Sequence, residues 1–234
     1  KRDFYTNQFS YPATISKTGY LQEIPFKTSP ELTISLLKEK TNKDISLLDI
    51  ELPKDFKIIY SEKTDDVLRK MMMVSDNFIA EQLLLVCSST LSNDLSTNAM
   101  IEYSKTYFMK EFANDISWVD GSGLSRYNLF TPNTSITVLK KISSKINDEE
   151  RLHSLFPAGG VSGTLKRAYK TDNDKPFVWA KTGTLTNVYN QSGYIITRKG
   201  KKLIYSFMNN NFTRTTEEIR DEMARIITKI HNDY

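Results

Sequence analysis

The sequence predicts an α+β fold: helices through its middle, then an antiparallel meander, then a closing helix. Three observations carry this. Apolar residues recur at helical spacing in several segments between residues 64 and 146. Three runs at 176–183, 189–198 and 202–209 read as strands, with "TRKGKK" turning the chain between the last two. The chain closes on "TTEEIRDEMARIITKIHNDY", where Ile219, Met223, Ile226, Ile227 and Ile230 form one apolar face and Glu217 and Glu218 lie near the start.

Taken in order, residues 1–29 contain Pro12, Gly19 and Pro25 and sustain no period, so they read as an irregular or extended lead-in. Pro30 suits the first position of a helix, and "PELTISLLKEK" places Leu32, Leu36 and Leu37 at helical spacing. "DISLLDIELPKDFKIIYSEK" reads as short strands or loops. "TDDVLRKMMMV" is a helix with Thr64 as a candidate N-cap and acids in its first turn, and Met71, Met72 and Met73 read as packing residues. "DNFIAEQLLLVCSST" predicts a buried helix, within which Cys87 is expected to be a buried, inert thiol. "STNAMIEYSKTYFMKEFA" predicts another helix, opened by Ser96 or Thr97. "DGSGLSRYNLFTP" is a loop, "TPNTSITVLKKISSKI" a helix, and "FPAGGVSGTLKRAY" a glycine-rich turn region. Tyr189 and Tyr194 read as strand-face residues.

The chain has 234 residues, 39% hydrophobic and 26% charged, an ordinary globular composition. Mean hydropathy is −0.44, and no apolar run approaches the ~18 residues of a membrane span. A formal charge of +4, spread without a basic stripe, argues against nucleic acid as a partner. The single cysteine excludes an internal disulfide, and His153 and His231 lie far apart with no ligand spacing around them, which gives a zinc site or a His-based triad poor support.

Two polar clusters interrupt otherwise apolar segments. Ser75-Asp76-Asn77 lies where a loop meets an apolar helix, and Asp76 or Ser75 is a candidate N-cap there. Lys181-Thr182-Gly183-Thr184 ends a strand with a cation, two hydroxyls and a glycine, none of which a strand needs for stability. S-x-N and K-T-G accompany the S-x-x-K serine of penicillin-binding proteins and serine β-lactamases. In such a site the lysine cation lies near the nucleophile and the substrate carboxylate. Thr182 is placed to hydrogen-bond that carboxylate, Gly183 to admit a peptide close to the strand edge, and the Thr184 N–H to donate to an oxyanion. Ser75 is the candidate proton relay to the leaving amine, and Asn77 the candidate holder of the substrate amide.

Together, "SDNFIAEQLL", "DGSGLSRYNLFTP", "GGVSGTLKRAY" and "AKTGTL" resemble the low-molecular-mass penicillin-binding proteins of the D-alanyl-D-alanine carboxypeptidase/endopeptidase type, the S13 peptidase family, from about residue 30 to the end. The resemblance implies a penicillin-recognising serine transpeptidase/β-lactamase-like fold, with a helical lobe beside an antiparallel sheet and a terminal helix packed on it. It implies hydrolysis through an acyl-enzyme with no cofactor, with peptidoglycan stem peptides and β-lactams as ligands, and a periplasmic or other extracytoplasmic location. Asp120, Ser122 and Arg126 lie in a loop able to line the cleft, though shaping that loop is their more economical role. Gly160, Gly163 and Thr164 read as a tight turn near the site.

The family's nucleophile is not evident. The one S-x-x-K match, Ser35-Leu36-Leu37-Lys38, shares the polar face of an amphipathic helix with Glu31 and Glu39, where a lysine base would not be desolvated. The expectation is therefore that the domain is incomplete at its N-terminus. Residues 1–29 would return from inserted upstream domains, 30–234 would be the C-terminal part of the transpeptidase-like domain, and the upstream part of the same protein would supply the serine and further strands. Two rival readings stand beside the carboxypeptidase: a catalytically inactive module that binds peptidoglycan peptides or a partner, and a serine β-lactamase, against which the DGSGLS and GVSGTL stretches speak by resemblance.

Overall fold

A computed structural model describes residues 1–14, 19, 24–51, 53–92, 94–169 and 175–234. The chain divides into two compact units, Lys1–Ile59 and Tyr60–Tyr234.

In the first unit, Arg2 and Phe9 form an isolated antiparallel bridge, and Asn7 and Lys27 exchange hydrogen bonds of 2.7 and 2.9 Å. The parts of the lead-in at 15–18 and 20–23 lie outside the described residues. Helix α1, Pro30–Thr41, starts as expected: the Ser29 side chain accepts from the Leu32 N–H and Pro30 occupies the first turn. No described residue of this unit is buried. The segment 44–59 is loop without a strand among its described residues.

The second unit opens with α2, Thr64–Val74. Its cap residue is Lys63, with no side-chain bond, so Thr64 is the first helical residue and not the cap. Helix α3, Asn77–Ser88, is capped by Asp76, which accepts from the Ile79 N–H at 2.9 Å. The prediction of a buried helix fails here. Only Ser88 is buried, Phe78 and Val86 are 56% and 58% exposed, and Cys87 is exposed. A run that is apolar all round names no inward face, and the unit covers only one side of this helix.

Helix α4, Thr97–Tyr107, is capped by Ser96. It ends earlier than the pattern suggests, because the N–H groups of Phe108 and Met109 both turn back onto the Ser104 carbonyl, and a 3₁₀ turn, Lys110–Phe112, follows. Helix α5, Pro132–Ile146, has Thr131 as its cap and Pro132 in its first turn. A further helix, α6, Glu149–Ser154, has no counterpart in the sequence pattern. It is too short to show a period, yet it buries Leu152 and stacks His153 on Trp179 at 3.7 Å. Burial there holds the His153 pKa below its ordinary value.

Strands β1, Val178–Leu185, β2, Val188–Ile196, and β3, Lys202–Asn210, form an antiparallel sheet in that order. β1 pairs with β2 without a bulge from Val178↔Ile195 to Leu185↔Val188, so Lys181, Thr182 and Gly183 lie inside the strand and not at its end. Strand alternation gives the sheet two faces. On one, Val178, Ala180, Ile195 and Tyr205 pack with Met223 and Ile227 of α7, Thr216–Asp233. On the other, Tyr194 packs with Leu139 of α5 and with Leu152, Leu155 and Phe156, joined by Met72 of α2 and Trp179. Helix α7 begins with a reciprocal capping box between Thr215 and Glu218.

Candidate active site

The corner between α2 and α3 is built by backbone conformation. Ser75 adopts φ 58°, ψ 54°, which ends α2 in a left-handed residue, and Asp76 then caps α3. The tight reversal throws the Ser75 side chain toward β1 and leaves Asn77 as the exposed first residue of α3.

The outer edge of β1 is divided. Its first half is sealed by the segment after α6: Ala180 N–H donates to Pro157 C=O at 3.0 Å, and Gly159 N–H donates to Val178 C=O at 2.9 Å. These bonds fix the parity of the strand. The backbone groups of Val178 and Ala180 point outward, so those of Thr182 and Thr184 do as well. Beyond Ala180 no described strand pairs with this edge.

At the boundary between the halves, Lys181 Nζ donates to Ser75 Oγ at 2.7 Å and to the Thr182 carbonyl at 2.5 Å. Burial holds the Lys181 pKa below 10.5, and no carboxylate pairs with it among the described ion pairs. A partly desolvated lysine in contact with a serine hydroxyl is able to take and return a proton at that oxygen. The structure thus joins two residues predicted from separate motifs.

Thr182 and Thr184 follow with their N–H groups facing the open edge. The Thr182 hydroxyl donates to Thr164 Oγ1 at 3.0 Å. A Cβ on Gly183 would meet no atom within 4 Å, so the packing of this unit does not require glycine there. By contrast, a Cβ on Gly193, across the sheet from Ala180, would lie 2.1 Å from the Trp179 carbonyl oxygen.

The loop from Trp118 to Leu129 is held by carboxylates. Asp120 accepts from the N–H groups of Gly123 and Ser125 and from Asn128 Nδ2, at 2.6, 2.7 and 2.9 Å. Glu81 of α3 accepts from Gly121 N–H at 3.1 Å and Ser122 N–H at 3.0 Å, and Gly121 packs so close to α3 that a Cβ would sit 2.7 Å from Ala80 C=O. Asp120 and the Ser122 backbone thus serve the shape of the loop. Arg126 reaches over to donate to Thr186 C=O at the β1–β2 turn, at 3.1 Å. Glu81 was missed in the sequence; its only signal is a lone acid in an apolar helix. The sequence marks Thr164 only as part of a glycine-rich turn near the site, since nothing local shows that it meets Thr182.

Ser35 and Lys38 do not form such a site. Both are exposed on α1, a helix without buried residues, and Lys38 pairs with Asp44 at 2.8 Å.

Comparison with known proteins follows the same lines. Over 186 residues the chain is 33% identical to the D-alanyl-D-alanine carboxypeptidase DacB of Haemophilus influenzae, covering 74% of this chain and 37% of that protein. It is 27% identical over 183 residues to penicillin-sensitive carboxypeptidase A of Dictyostelium discoideum, covering 74% and 35%. The crystal structure of penicillin-binding protein 4 (dacB) from Haemophilus influenzae in complex with a novel β-lactam superimposes with a TM-score of 0.62 at 29% identity, over 71% of this chain and 41% of that one. The chain thus spans little more than a third of the length of these curated relatives. The fold is the penicillin-recognising α+β fold. With residues 57–230 matching it, and with the serine-lysine contact at an open strand edge, the chain belongs to the D-Ala-D-Ala carboxypeptidase 3 (S13) family.

Proposed function

We propose that this chain forms one wall of the active site of a serine-type D-Ala-D-Ala carboxypeptidase/endopeptidase that acts on peptidoglycan peptides and is acylated by β-lactams. The observation that carries the reading is the 2.7 Å contact of Lys181 Nζ with Ser75 Oγ beside an open strand edge. A stem peptide lies along that edge, close against Gly183, with its terminal carboxylate at Thr182 and its amide held by Asn77. A serine from the upstream part of the same protein attacks the carbonyl of the penultimate D-Ala. The developing oxyanion accepts from the Thr184 N–H. Ser75, backed by Lys181, passes a proton to the leaving amine of the terminal D-Ala. Water then hydrolyses the acyl-serine ester. Acyl transfer of this kind calls on no metal or cofactor. Arg126, at the far end of the open edge, lines the cleft where the stem peptide continues.

The upstream polypeptide also supplies strands for the outer edge of β3, which has no strand partner among the described residues. A periplasmic or other extracytoplasmic location follows from the substrate.

The second reading, an inactive binding module, is favoured by one observation: the only S-x-x-K in the chain is exposed and its lysine is paired elsewhere. Intact mass after incubation with a penicillin, measured on this chain and on the full gene product, decides between them. An adduct on the full gene product alone supports the enzyme with an upstream nucleophile. An adduct on Ser35 of this chain overturns the assignment of the nucleophile. No adduct on either moves the binding module to the front.

A further inference from the structure

The segment that seals the first half of β1 does more than cover it. It crosses the strand edge from one sheet face to the other. Gly163, at φ 56°, lies under the end of α2, where a Cβ would be 2.9 Å from the Met73 carbonyl oxygen. Two residues later, Leu165 is 1% exposed in the core on the α7 side. Thr164 is the residue between these two anchors, and its Oγ1 accepts from the Thr182 hydroxyl at 3.0 Å. The side chain that reads the substrate is therefore tied to a residue fixed by packing on both sides.

The proton count of this pair is informative. Two hydroxyls carry two protons. One is used between them, and Thr164 is exposed, so its own proton faces solvent at the open edge and not a fixed protein acceptor among the described residues. The pair holds one proton in reserve beside the open edge. We propose that Thr164 is a positioning residue for recognition of the terminal carboxylate: when an anion arrives, a small turn of the Thr164 side chain reverses the bond, so that Thr164 donates to Thr182 and Thr182 donates to the carboxylate. No bond other than hydrogen bonds changes. A hydroxyl that itself accepts a hydrogen bond is a stronger donor, and a carboxylate is the acceptor that gains most from it. A neutral terminal group gains less.

This rests on the carboxypeptidase reading above, in which Thr182 meets the carboxylate. The test uses the full gene product, with kcat/KM measured on a D-Ala-D-Ala peptide and on the same peptide ending in a carboxamide. The wild type is expected to prefer the free acid. Thr164→Val, which keeps the shape and removes the hydroxyl, should shrink that preference about tenfold, mainly through KM for the acid, and Thr164→Ser should restore it. Thermal melts of both variants report whether the fold is retained. If the wild type shows no preference for the acid, the role given to Thr182 fails and this proposal falls with it. If the wild type prefers the acid and Thr164→Val keeps the full preference, Thr164 has no such role while the carboxypeptidase reading stands. An equal loss on both peptides with a lowered melting temperature marks Thr164 as a structural prop and overturns the proposal.

Discussion

The two halves of the outer edge of β1 share one strand and one parity but have opposite fates. Around Val178 and Ala180 the edge is bonded to Pro157 and Gly159, and both residues are fully buried. Around Thr182 to Thr184 the same outward-facing groups meet no strand, and Gly183 faces open space. The first half follows the general rule that proteins cover their strand edges. The second half breaks it, and the chemistry-bearing side chains sit there. The contrast teaches that the open edge is a built gap, since the covering segment bonds the edge only as far as Ala180 and then touches the open half at Thr164, through the Thr182 hydroxyl.

The largest expected effect comes from disturbing the sealed half. Gly193→Ala places a Cβ 2.1 Å from the Trp179 carbonyl oxygen and 2.5 Å from Ala180 Cβ, with backbone on one side and core on the other. It should cost about 3 kcal/mol or more and abolish a cooperative urea transition. The same change in the open half, Gly183→Ala, meets nothing within 4 Å and should leave stability within about 0.5 kcal/mol. Its effect should appear instead as slowed penicillin acylation of the full gene product. Equal destabilisation by the two substitutions would erase the distinction between the halves.

Next in size is Lys181→Met, which removes the donor to Ser75 and should slow acylation about 100-fold or more. The lysine also leaves a pH signature. Because burial lowers its folded pKa below 10.5, the unfolded chain binds more protons between that lowered value and 10.5. Its contribution to stability therefore rises with pH through that window, and Lys181→Met should flatten the slope in urea melts taken across it. A slope that does not change would place the amine in water.

A smaller effect is expected at the loop facing the open half. Glu81→Ala removes the acceptor of two backbone N–H groups, Gly121 and Ser122, and should cost about 1–3 kcal/mol, with faster amide exchange at both. The smallest is Cys87→Ser, which at an exposed position should stay within about 0.5 kcal/mol, while the native thiol reacts with an alkylating reagent without denaturant. Protection of the thiol would restore the buried reading of that helix.

How legible each of these regions is from sequence follows from how local its determinants are. Helices α5 and α7 begin where Thr131-Pro132 and Thr215 with Glu218 say they should, because a cap is a contact across three residues. The three strands are found, but β1 runs on to Leu185, since pairing with β2 carries it through the glycine. Helix α6 is missed because six residues carry no period, and α3 is misjudged because burial depends on what else arrives at its surface.

The sequence by itself determined the longer helices and the strands, the caps Asp76 and Ser96, and the two motifs, all of which are written in neighbouring residues. Only the tertiary structure decided that Lys181 touches Ser75, that Glu81 holds the loop, and that Thr164 meets Thr182. Those contacts join residues 106, 40 and 18 positions apart. Local propensity cannot encode them; they exist because tertiary packing brings together segments distant in the chain, as burial on both faces of the sheet does where the Thr164 segment crosses its edge.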